Sequence, residues 1–212
     1  MKIKLNMMGW LVIGFFILSV LFIIIFFWKK SKSADSFVET SQIYKSHLIV
    51  FGGASDPVHH ICSRIISTKI AVENFSYFQW YQFEDACKFI NSIQDSKKII
   101  LLGHSWGGKT AAKVFNKYSE KITLLITLDP VSWKRPCIHP SMKNTLWINI
   151  VPTFEKLSWN ALIATVGGRW KKQAGAQNIT IICDHCSVDK MLDAKTSDGK
   201  TIWHIILNKM KS

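Results

Sequence analysis

Eight consecutive residues, Gly103 to Thr110 (GHSWGGKT), satisfy two patterns that belong to different chemistries. Read as G-x-S-x-G, they form a sharp strand-to-helix turn that exposes the hydroxyl of Ser105 for nucleophilic attack. Read as G-x-x-x-x-G-K-T, they form a phosphate-binding loop in which Lys109 and Thr110 contact a nucleotide and its magnesium ion. The first interpretation predicts acyl-transfer chemistry, and the second predicts nucleotide binding.

Two later residues supply what a serine nucleophile needs. Serine is a weak nucleophile, so it requires a general base and a carboxylate that orients the base. The apolar run after the motif ends at Asp129, and the last apolar run leads into Asp184 and His185. The order serine, acid, histidine, each at the end of a strand, favours Ser105, Asp129 and His185 as a catalytic triad. Asp184 is a rival acid, but a residue next to His185 in sequence usually points away from its ring.

The phosphate-binding interpretation has weaker support from its surroundings. A phosphate-binding loop normally comes early in its domain, whereas two strand-like and two helix-like segments precede Gly103. The loop also works through backbone N–H groups turned toward the phosphate, and the bulky His104 and Trp106 are unusual there. Nucleotide binding through Gly103 to Thr110 remains the alternative hypothesis.

The elements around the motif alternate between strand-like and helix-like patterns, which is typical of an α/β domain with a mostly parallel sheet. Six short apolar runs predict strands at His47–Phe51, Asn74–Trp80, Lys98–Leu102, Ile122–Leu128, Leu146–Val151 and Asn178–Cys183. Helical patterns fall at Val58–Ser67, Phe83–Ile93, Trp106–Tyr118 and Thr201–Met210. The motif therefore lies between a predicted strand and a predicted helix.

From residue 47 to residue 212 the chain resembles the α/β-hydrolase superfamily, in particular its lipase and esterase-like members. The resemblance rests on GHSWGG at Gly103–Gly108, LDPV at Leu128–Val131, the pair Asp184–His185, and FGGAS at Phe51–Ser55. It implies a compact three-layer fold whose six strands follow the spatial order 2-1-3-4-5-6. The chain is short for the superfamily, so the first two family strands and a large lid are expected to be absent.

The resemblance also implies a function. A Ser-Asp-His triad would cleave a carboxylic ester through an acyl-enzyme, without a cofactor. The oxyanion would be bound by the backbone N–H of Trp106 and by the loop that contains Gly53 and Ala54. The substrate would be an acyl ester, and a lipid ester, a thioester and a soluble ester would all use the same triad. The predicted anchor and the tryptophan-rich region suggest lipid esters, but the sequence does not separate the three. A catalytically inactive hydrolase fold that only binds a partner is a further alternative.

The N-terminal part of the chain has a different character. Residues 7–28 contain no charge in 22 positions and carry Trp10 and Trp28 near the two ends. As a helix this segment would span roughly 33 Å, enough to cross a bilayer core of about 30 Å. We expect residues 1–28 to be a single-pass membrane anchor, 29–46 a juxtamembrane linker and 47–212 the hydrolase domain, on the non-cytoplasmic side. A cleaved signal peptide is the alternative.

Composition limits the other possibilities. Of the net charge of +13, five charges belong to lysines that flank residues 7–28. The remaining +8 is spread out, without a basic, aromatic-studded strand, so nucleic acid is not an expected partner. The five cysteines leave at least one thiol unpaired within the chain. Cys183 and Cys186 surround His185, but zinc would need a second ligand pair, so no metal is expected. The oligomeric state is left open by the sequence.

One further segment is expected to lie beside the site. Residues 152–177, with two adjacent glycines, are where a small lid is expected. The tryptophans of this region of the chain could line an acyl pocket, but packing in the core is the favoured interpretation for each of them. They are Trp133, Trp147, Trp159 and Trp170.

Overall fold

A computed structural model describes residues 44–56, 60–68, 70, 74–134, 136, 138, 145–154 and 158–212. The predicted anchor, residues 1–28, and most of the predicted linker lie outside these ranges. Among the described residues, no helix has the length and hydropathy needed to cross a membrane. The prediction of a membrane anchor at residues 7–28 therefore stays a prediction.

Six strands and six α-helices make up the described domain. The strands are β1 (Ser46–Gly52), β2 (Phe75–Gln79), β3 (Lys98–His104), β4 (Ile122–Leu128), β5 (Leu146–Thr153) and β6 (Gln177–Ile182). The helices are α1 (Ile61–Ser67), α2 (Phe83–Ser92), α3 (Trp106–Tyr118), α4 (Trp159–Val166), α5 (Val188–Leu192) and α6 (Ile202–Lys211). A 3₁₀ turn, Ser119–Lys121, connects α3 to β4.

The strands form one parallel sheet in the order β2-β1-β3-β4-β5-β6. The central strands are apolar along nearly their whole length because helices cover both faces of the sheet. Leu48 and Val50 of β1 pack in one core with α1, α5 and α6. Ile49 and Phe51 of the same strand pack in a second core with α2 and α3. The result is three layers, helix on sheet on helix.

The predicted six-stranded α/β fold is confirmed, including the order of the strands. Most predicted element boundaries agree with the structure to within two residues, because buried strands and amphipathic helices leave a local pattern. Residues 57–59, in the first predicted helix, lie outside the described ranges. The short helices α4 and α5 were not predicted. Helix α4 has large apolar residues on its exposed side, and α5 is little more than one turn.

The tryptophans follow the prediction only in part. Trp147 and Trp170 are buried in the core on the α2–α3 side of the sheet, as expected. The expectation of core packing is wrong for Trp133 and Trp159, whose side chains are each 78% exposed. Both belong to loop-and-helix segments that follow the ends of strands β4 and β5.

Candidate active site

Ser105 is the single residue between the end of β3 at His104 and the start of α3 at Trp106. Its backbone has φ 55° and ψ −125°, a conformation that L-residues other than glycine rarely adopt. Backbone strain of this kind concentrates at functional sites, where the surrounding packing imposes it. The turn holds Ser105 at the carboxyl edge of the sheet, where ligands of α/β folds bind.

Glycines make this turn sterically possible. A Cβ on Gly103 would lie 2.5 Å from the carbonyl oxygen of Gly107, and a Cβ on Gly107 would lie 2.2 Å from the carbonyl oxygen of Phe51. Cβ atoms essentially never approach backbone atoms this closely, so both positions require glycine. The glycines of the G-x-S-x-G motif are therefore required because α3 lies so close to β3 and β1.

The same geometry is incompatible with a phosphate-binding loop. Such a loop needs several non-helical residues between its strand and its helix, so that backbone N–H groups can surround a phosphate. Here residues 103 and 104 still belong to β3, and residues 106–110 already belong to α3. The hydroxyl of Thr110 donates a hydrogen bond to the carbonyl of Trp80. The structure therefore does not support nucleotide binding through Gly103 to Thr110.

Three side chains from different strands meet at Ser105. His185 Nε2 lies 3.0 Å from Ser105 Oγ, and His185 Nδ1 lies 2.6 Å from Asp129 Oδ2. All three residues are buried. Asp129 follows β4 with a φ of 41°, a strained left-handed conformation. The hydrogen bonds are those through which a carboxylate orients a histidine base toward a serine nucleophile.

Asp184, the rival acid, binds elsewhere. One of its carboxylate oxygens accepts a hydrogen bond from the backbone N–H of Cys186 at 3.0 Å, and the other accepts from the hydroxyl of Ser158. Ser158 also caps α4, because its Oγ accepts from the N–H of Ala161 at 3.1 Å. Asp184 therefore joins the turn around His185 to the start of α4.

Arg169 is an additional partner of the buried carboxylate. Its Nε–H donates to Asp129 Oδ1, the oxygen that His185 does not use, and its terminal N–H donates to the carbonyl of Pro152. The guanidinium also lies over the ring of Phe154, with Cζ 4.3 Å from the centroid. Asp129 is thus held between a histidine and an arginine, and each takes one carboxylate oxygen.

The segment that carries Arg169 is joined to the chain just after Asp129. Val131 and Arg169 form an isolated antiparallel bridge, and the N–H of Trp170 donates to the carbonyl of Pro130 at 2.8 Å. The fully buried indole of Trp170 donates to the hydroxyl of Ser132 at 2.9 Å. These contacts, 38 to 40 residues apart in sequence, position the guanidinium against the carboxylate.

His104 supports the backbone of His185. Its Nε2 lies 2.8 Å from the carbonyl oxygen of His185, and since a carbonyl only accepts, Nε2 carries the proton. Burial, together with the nearby charge of His185, lowers the pKa of His104 to about 4. His104 is therefore neutral at physiological pH and holds His185 without adding a positive charge beside it.

The loop after β1 brings Gly53 against Ser105. A Cβ on Gly53 would be 2.8 Å from the Cβ of Ser105. The loop is held from below by Asp56, whose carboxylate accepts from the N–H of Cys62 at 2.9 Å and from the hydroxyl of Tyr77. The loop is thus fixed beside Ser105.

The sequence left the disulfide state of the cysteines open, and the described cysteines are free thiols. Cys183 and Cys186 are present as thiols, and their pKa values are raised to about 11, chiefly by burial. Cys62 and Cys87 are buried thiols as well, and Cys137 lies outside the described ranges. Within those ranges, no cluster of three metal-binding side chains occurs.

The fold and these contacts define an α/β-hydrolase. Residues 68–207 match the protein family described as "Serine aminopeptidase, S33" (Hydrolase_4), which is well over half of the chain. The chain therefore belongs to this family. The matched region contains Ser105, Asp129, Arg169 and His185. No curated protein matches the chain significantly.

Three solved structures illustrate the similarity. Tomato methylketone synthase I, complexed with 2-tridecanone, is 21% identical over 44% of this chain and 43% of that chain, with a TM-score of 0.33. A putative yden-like hydrolase from Pectobacterium atrosepticum is 14% identical over 68% and 81%, with a TM-score of 0.42. A metagenomic carboxyl esterase is 7% identical over 87% and 76%, with a TM-score of 0.45. At these TM-scores the likenesses carry no functional argument.

Sequence reasoning missed two residues of this site. The sequence draws attention to His104 only as a bulky residue that is unusual in a phosphate-binding loop. Its position directly before Ser105 is the one signal that could have indicated a contact with His185. Arg169 left no signal, because its partner Asp129 is 40 residues away and is reached only through the bridge between Val131 and Arg169.

Proposed function

We propose that this chain is a membrane-anchored serine hydrolase that cleaves carboxylic esters through Ser105, His185 and Asp129. The observation that carries the proposal is the continuous hydrogen-bonded series from the buried Asp129 through His185 to Ser105. The strained backbone of Ser105 and the family membership support it independently. The sequence order of the three residues is a third, separate argument.

The first half-reaction forms an acyl-enzyme. Ser105 Oγ attacks the ester carbonyl carbon while its proton moves to His185 Nε2, and Asp129 stabilises the resulting imidazolium. The carbonyl oxygen becomes an oxyanion, which the backbone N–H of Trp106 and an N–H of the Gly53–Ala54 loop would bind. The intermediate then expels the alcohol, which takes the proton from His185.

The second half-reaction restores the enzyme. A water molecule gives a proton to His185 Nε2 and attacks the acyl carbonyl carbon. The bond from the acyl group to Ser105 then breaks, the proton returns to Oγ, and the carboxylic acid leaves. Each oxyanion donor is worth on the order of a hundredfold in rate or more.

We assign Arg169 a positioning role in this mechanism. It occupies Oδ1 of Asp129, so the carboxylate cannot rotate without breaking a charge-assisted hydrogen bond. Oδ2 is thereby left directed at His185. The guanidinium also offsets part of the negative charge that attracts the imidazolium.

Lipid acyl esters are the proposed substrate class. Trp106, next to the nucleophile, has its ring 6.1 Å from that of Trp133 and 4.8 Å from that of Trp80, so the approach to Ser105 is aromatic. An anchor at residues 7–28 would hold such a site close to its substrate and raise the effective concentration. We propose the non-cytoplasmic side of the membrane for the domain, which a reporter fused after Ser212 would test.

The family description names an aminopeptidase, which acts on a substrate with a free ammonium group. Such a group needs a carboxylate near the nucleophile. Among the described residues at this site, Asp56, Asp129 and Asp184 already accept hydrogen bonds within the protein. The aromatic surroundings of Ser105 fit an apolar acyl group.

A fluorophosphonate probe tests the proposal directly, since it phosphonylates an activated serine. The full chain in detergent micelles should be labelled at Ser105 and should hydrolyse p-nitrophenyl esters, and Ser105→Ala should abolish both. Lys109→Ala is the matched control, because its side chain lies in the same motif and has no role in ester cleavage. Loss of activity in Lys109→Ala with normal activity in Ser105→Ala would overturn the proposal. Absence of labelling would favour an inactive hydrolase fold.

A further inference from the structure

Helix α4 reverses the usual distribution of side chains. The residues it buries are small, Ala161 and Ala164. Its large apolar residues point outward, at the spacing i, i+3, i+4 and i+7 that forms one helix face. The exposed fractions are 78% for Trp159, 36% for Leu162, 64% for Ile163 and 69% for Val166.

This face continues onto the loop after β4. The indole N–H of Trp133, itself 78% exposed, donates to the carbonyl of Val166 at 2.8 Å. Trp133, Trp159, Leu162, Ile163 and Val166 together form what is here named the α4–Trp133 surface. Single exposed apolar residues are common in soluble proteins, but a contiguous apolar surface of this kind marks an interaction site.

The surface adjoins the nucleophile. The ring of Trp106 lies 6.1 Å from that of Trp133, and Trp106 follows Ser105 in the chain. A Cβ on Gly167, at the end of α4, would lie 3.4 Å from Trp106 Nε1. Whatever covers the α4–Trp133 surface is therefore next to the entrance of the site.

The distribution of charge around the α4–Trp133 surface indicates what kind of partner covers it. All eight residues of α4 are uncharged, whereas Lys134, Lys171 and Lys172 are exposed on the segments that hold Trp133 and Arg169. An apolar face with tryptophans and lysines at its border is typical of a segment that lies in the interface of an anionic bilayer. The chain as a whole has a net charge of +13.

The N-terminal sequence is consistent with a bilayer as the partner of the α4–Trp133 surface. Residues 7–28 have the length and composition of a membrane span, and 15 residues separate them from Tyr44. Fifteen extended residues reach at most about 50 Å, and the seven residues of β1 cover about 23 Å. The linker is thus long enough for the carboxyl edge of the sheet to face the bilayer.

We propose that the α4–Trp133 surface rests on an anionic lipid bilayer and presents lipid acyl esters to Ser105. The identity of the substrate rests on the proposed function, whereas the contact with lipid does not. Trp133 and Trp159 lie at the level of the headgroups, and Ile163 and Val166 contact the upper acyl chains.

Site-specific photocrosslinking tests this contact. The full chain is reconstituted into vesicles of phosphatidylcholine and phosphatidylglycerol, with Ile163 replaced by p-benzoylphenylalanine. The exposed Lys88 on α2 is the matched control position. Lipid adducts at position 163 should exceed those at position 88, by about tenfold, because only the first position would lie in the interface. Equal adduct yields, or crosslinks mainly to a second copy of the chain, would overturn the proposal.

A second measurement separates the contact from the catalysis. Ile163→Glu puts a charge on an exposed position, so folding and the turnover of a short water-soluble ester should be unchanged. Turnover of a long-chain ester embedded in the same vesicles should fall about tenfold. If position 163 crosslinks to lipid but no ester is hydrolysed, the docking surface stands and the proposed function fails. If soluble esters are hydrolysed but no lipid adduct forms, the docking surface fails and the hydrolase remains.

Discussion

Replacing Arg169 by methionine tests how the buried carboxylate is controlled. The variant removes the donors to Asp129 Oδ1 and to the carbonyl of Pro152, while its apolar stem still covers Phe154. A hydrogen bond to a charged group contributes about 1.5–3 kcal/mol, and each 1.4 kcal/mol corresponds to a factor of ten. If this free energy serves to orient Asp129, kcat/KM for a soluble ester should fall by about tenfold to a hundredfold.

The split between kcat and KM distinguishes positioning from a general loss of structure. Arg169 acts through Asp129, so its loss misdirects Oδ2 of the carboxylate without removing a contact to the ester. The decrease in kcat/KM should therefore lie in kcat, with the KM of a soluble ester nearly unchanged.

Two further variants make the result interpretable. Arg169→Lys keeps the positive charge but not the planar pair of donors, so it should restore only part of kcat. Lys171→Met removes an exposed charge from the same segment and should change neither kcat nor KM. A loss confined to KM in Arg169→Met, or an equal loss of kcat in Lys171→Met, would refute the positioning role.

Three more predictions follow from the described contacts. Gly53→Ala should lower kcat/KM by about tenfold or more, because its Cβ would lie 2.8 Å from the Cβ of Ser105 and displace the oxyanion loop. Burial lowers the pKa values of His47 and His104 to about 4, so the unfolded chain takes up protons first as the pH falls below 6.5. The free energy of unfolding should therefore decrease by about 2 kcal/mol between pH 6.5 and 5.5, measured by denaturant unfolding in micelles. The Cys186 thiol, with its pKa raised to about 11 by burial and by the charge of Asp184, should be alkylated by iodoacetamide at a rate that still increases above pH 9.

Each of these three predictions has a control variant or an outcome that would contradict it. Gly199→Ala adds a Cβ that meets no atom within 4 Å, so any backbone strain it introduces should leave kcat/KM unchanged. His47→Gln keeps a partner for the Ser76 hydroxyl and should reduce the pH dependence of unfolding by about half. A variant that keeps the full pH dependence, or an alkylation rate that reaches its plateau below pH 9, would contradict the stated pKa shifts.

Much of the fold was readable from the sequence because its determinants are local. Buried parallel strands appear as short apolar runs, and helices covering both faces follow from the alternation of elements. The elbow could be read from Gly103, Ser105 and Gly107, because a strand-to-helix turn with a close approach leaves no room for a Cβ. The spatial order of the strands followed from the resemblance to a known superfamily.

For the candidate site, the sequence could indicate only which residues follow the ends of strands and in what order. Ser105, Asp129 and His185 were named because each follows a strand, and the structure brings them within hydrogen-bonding distance. Their catalytic role stays a prediction until it is measured. The sequence favours Asp129 over Asp184 because a residue next to His185 usually points away from its ring. The structure gives the physical reason, since the carboxylate of Asp184 accepts hydrogen bonds from Cys186 and Ser158 instead.

The sequence by itself determined the strands, the elbow and the residues available for chemistry, since these depend on neighbours in the chain. Only the tertiary structure decided that Arg169 holds Asp129, that His104 supports His185, and that α4 exposes its large apolar side chains. These features depend on which segments meet across 17 to 81 residues of sequence. Periodicity cannot tell which face of a short apolar helix is covered, because that depends on what packs against it.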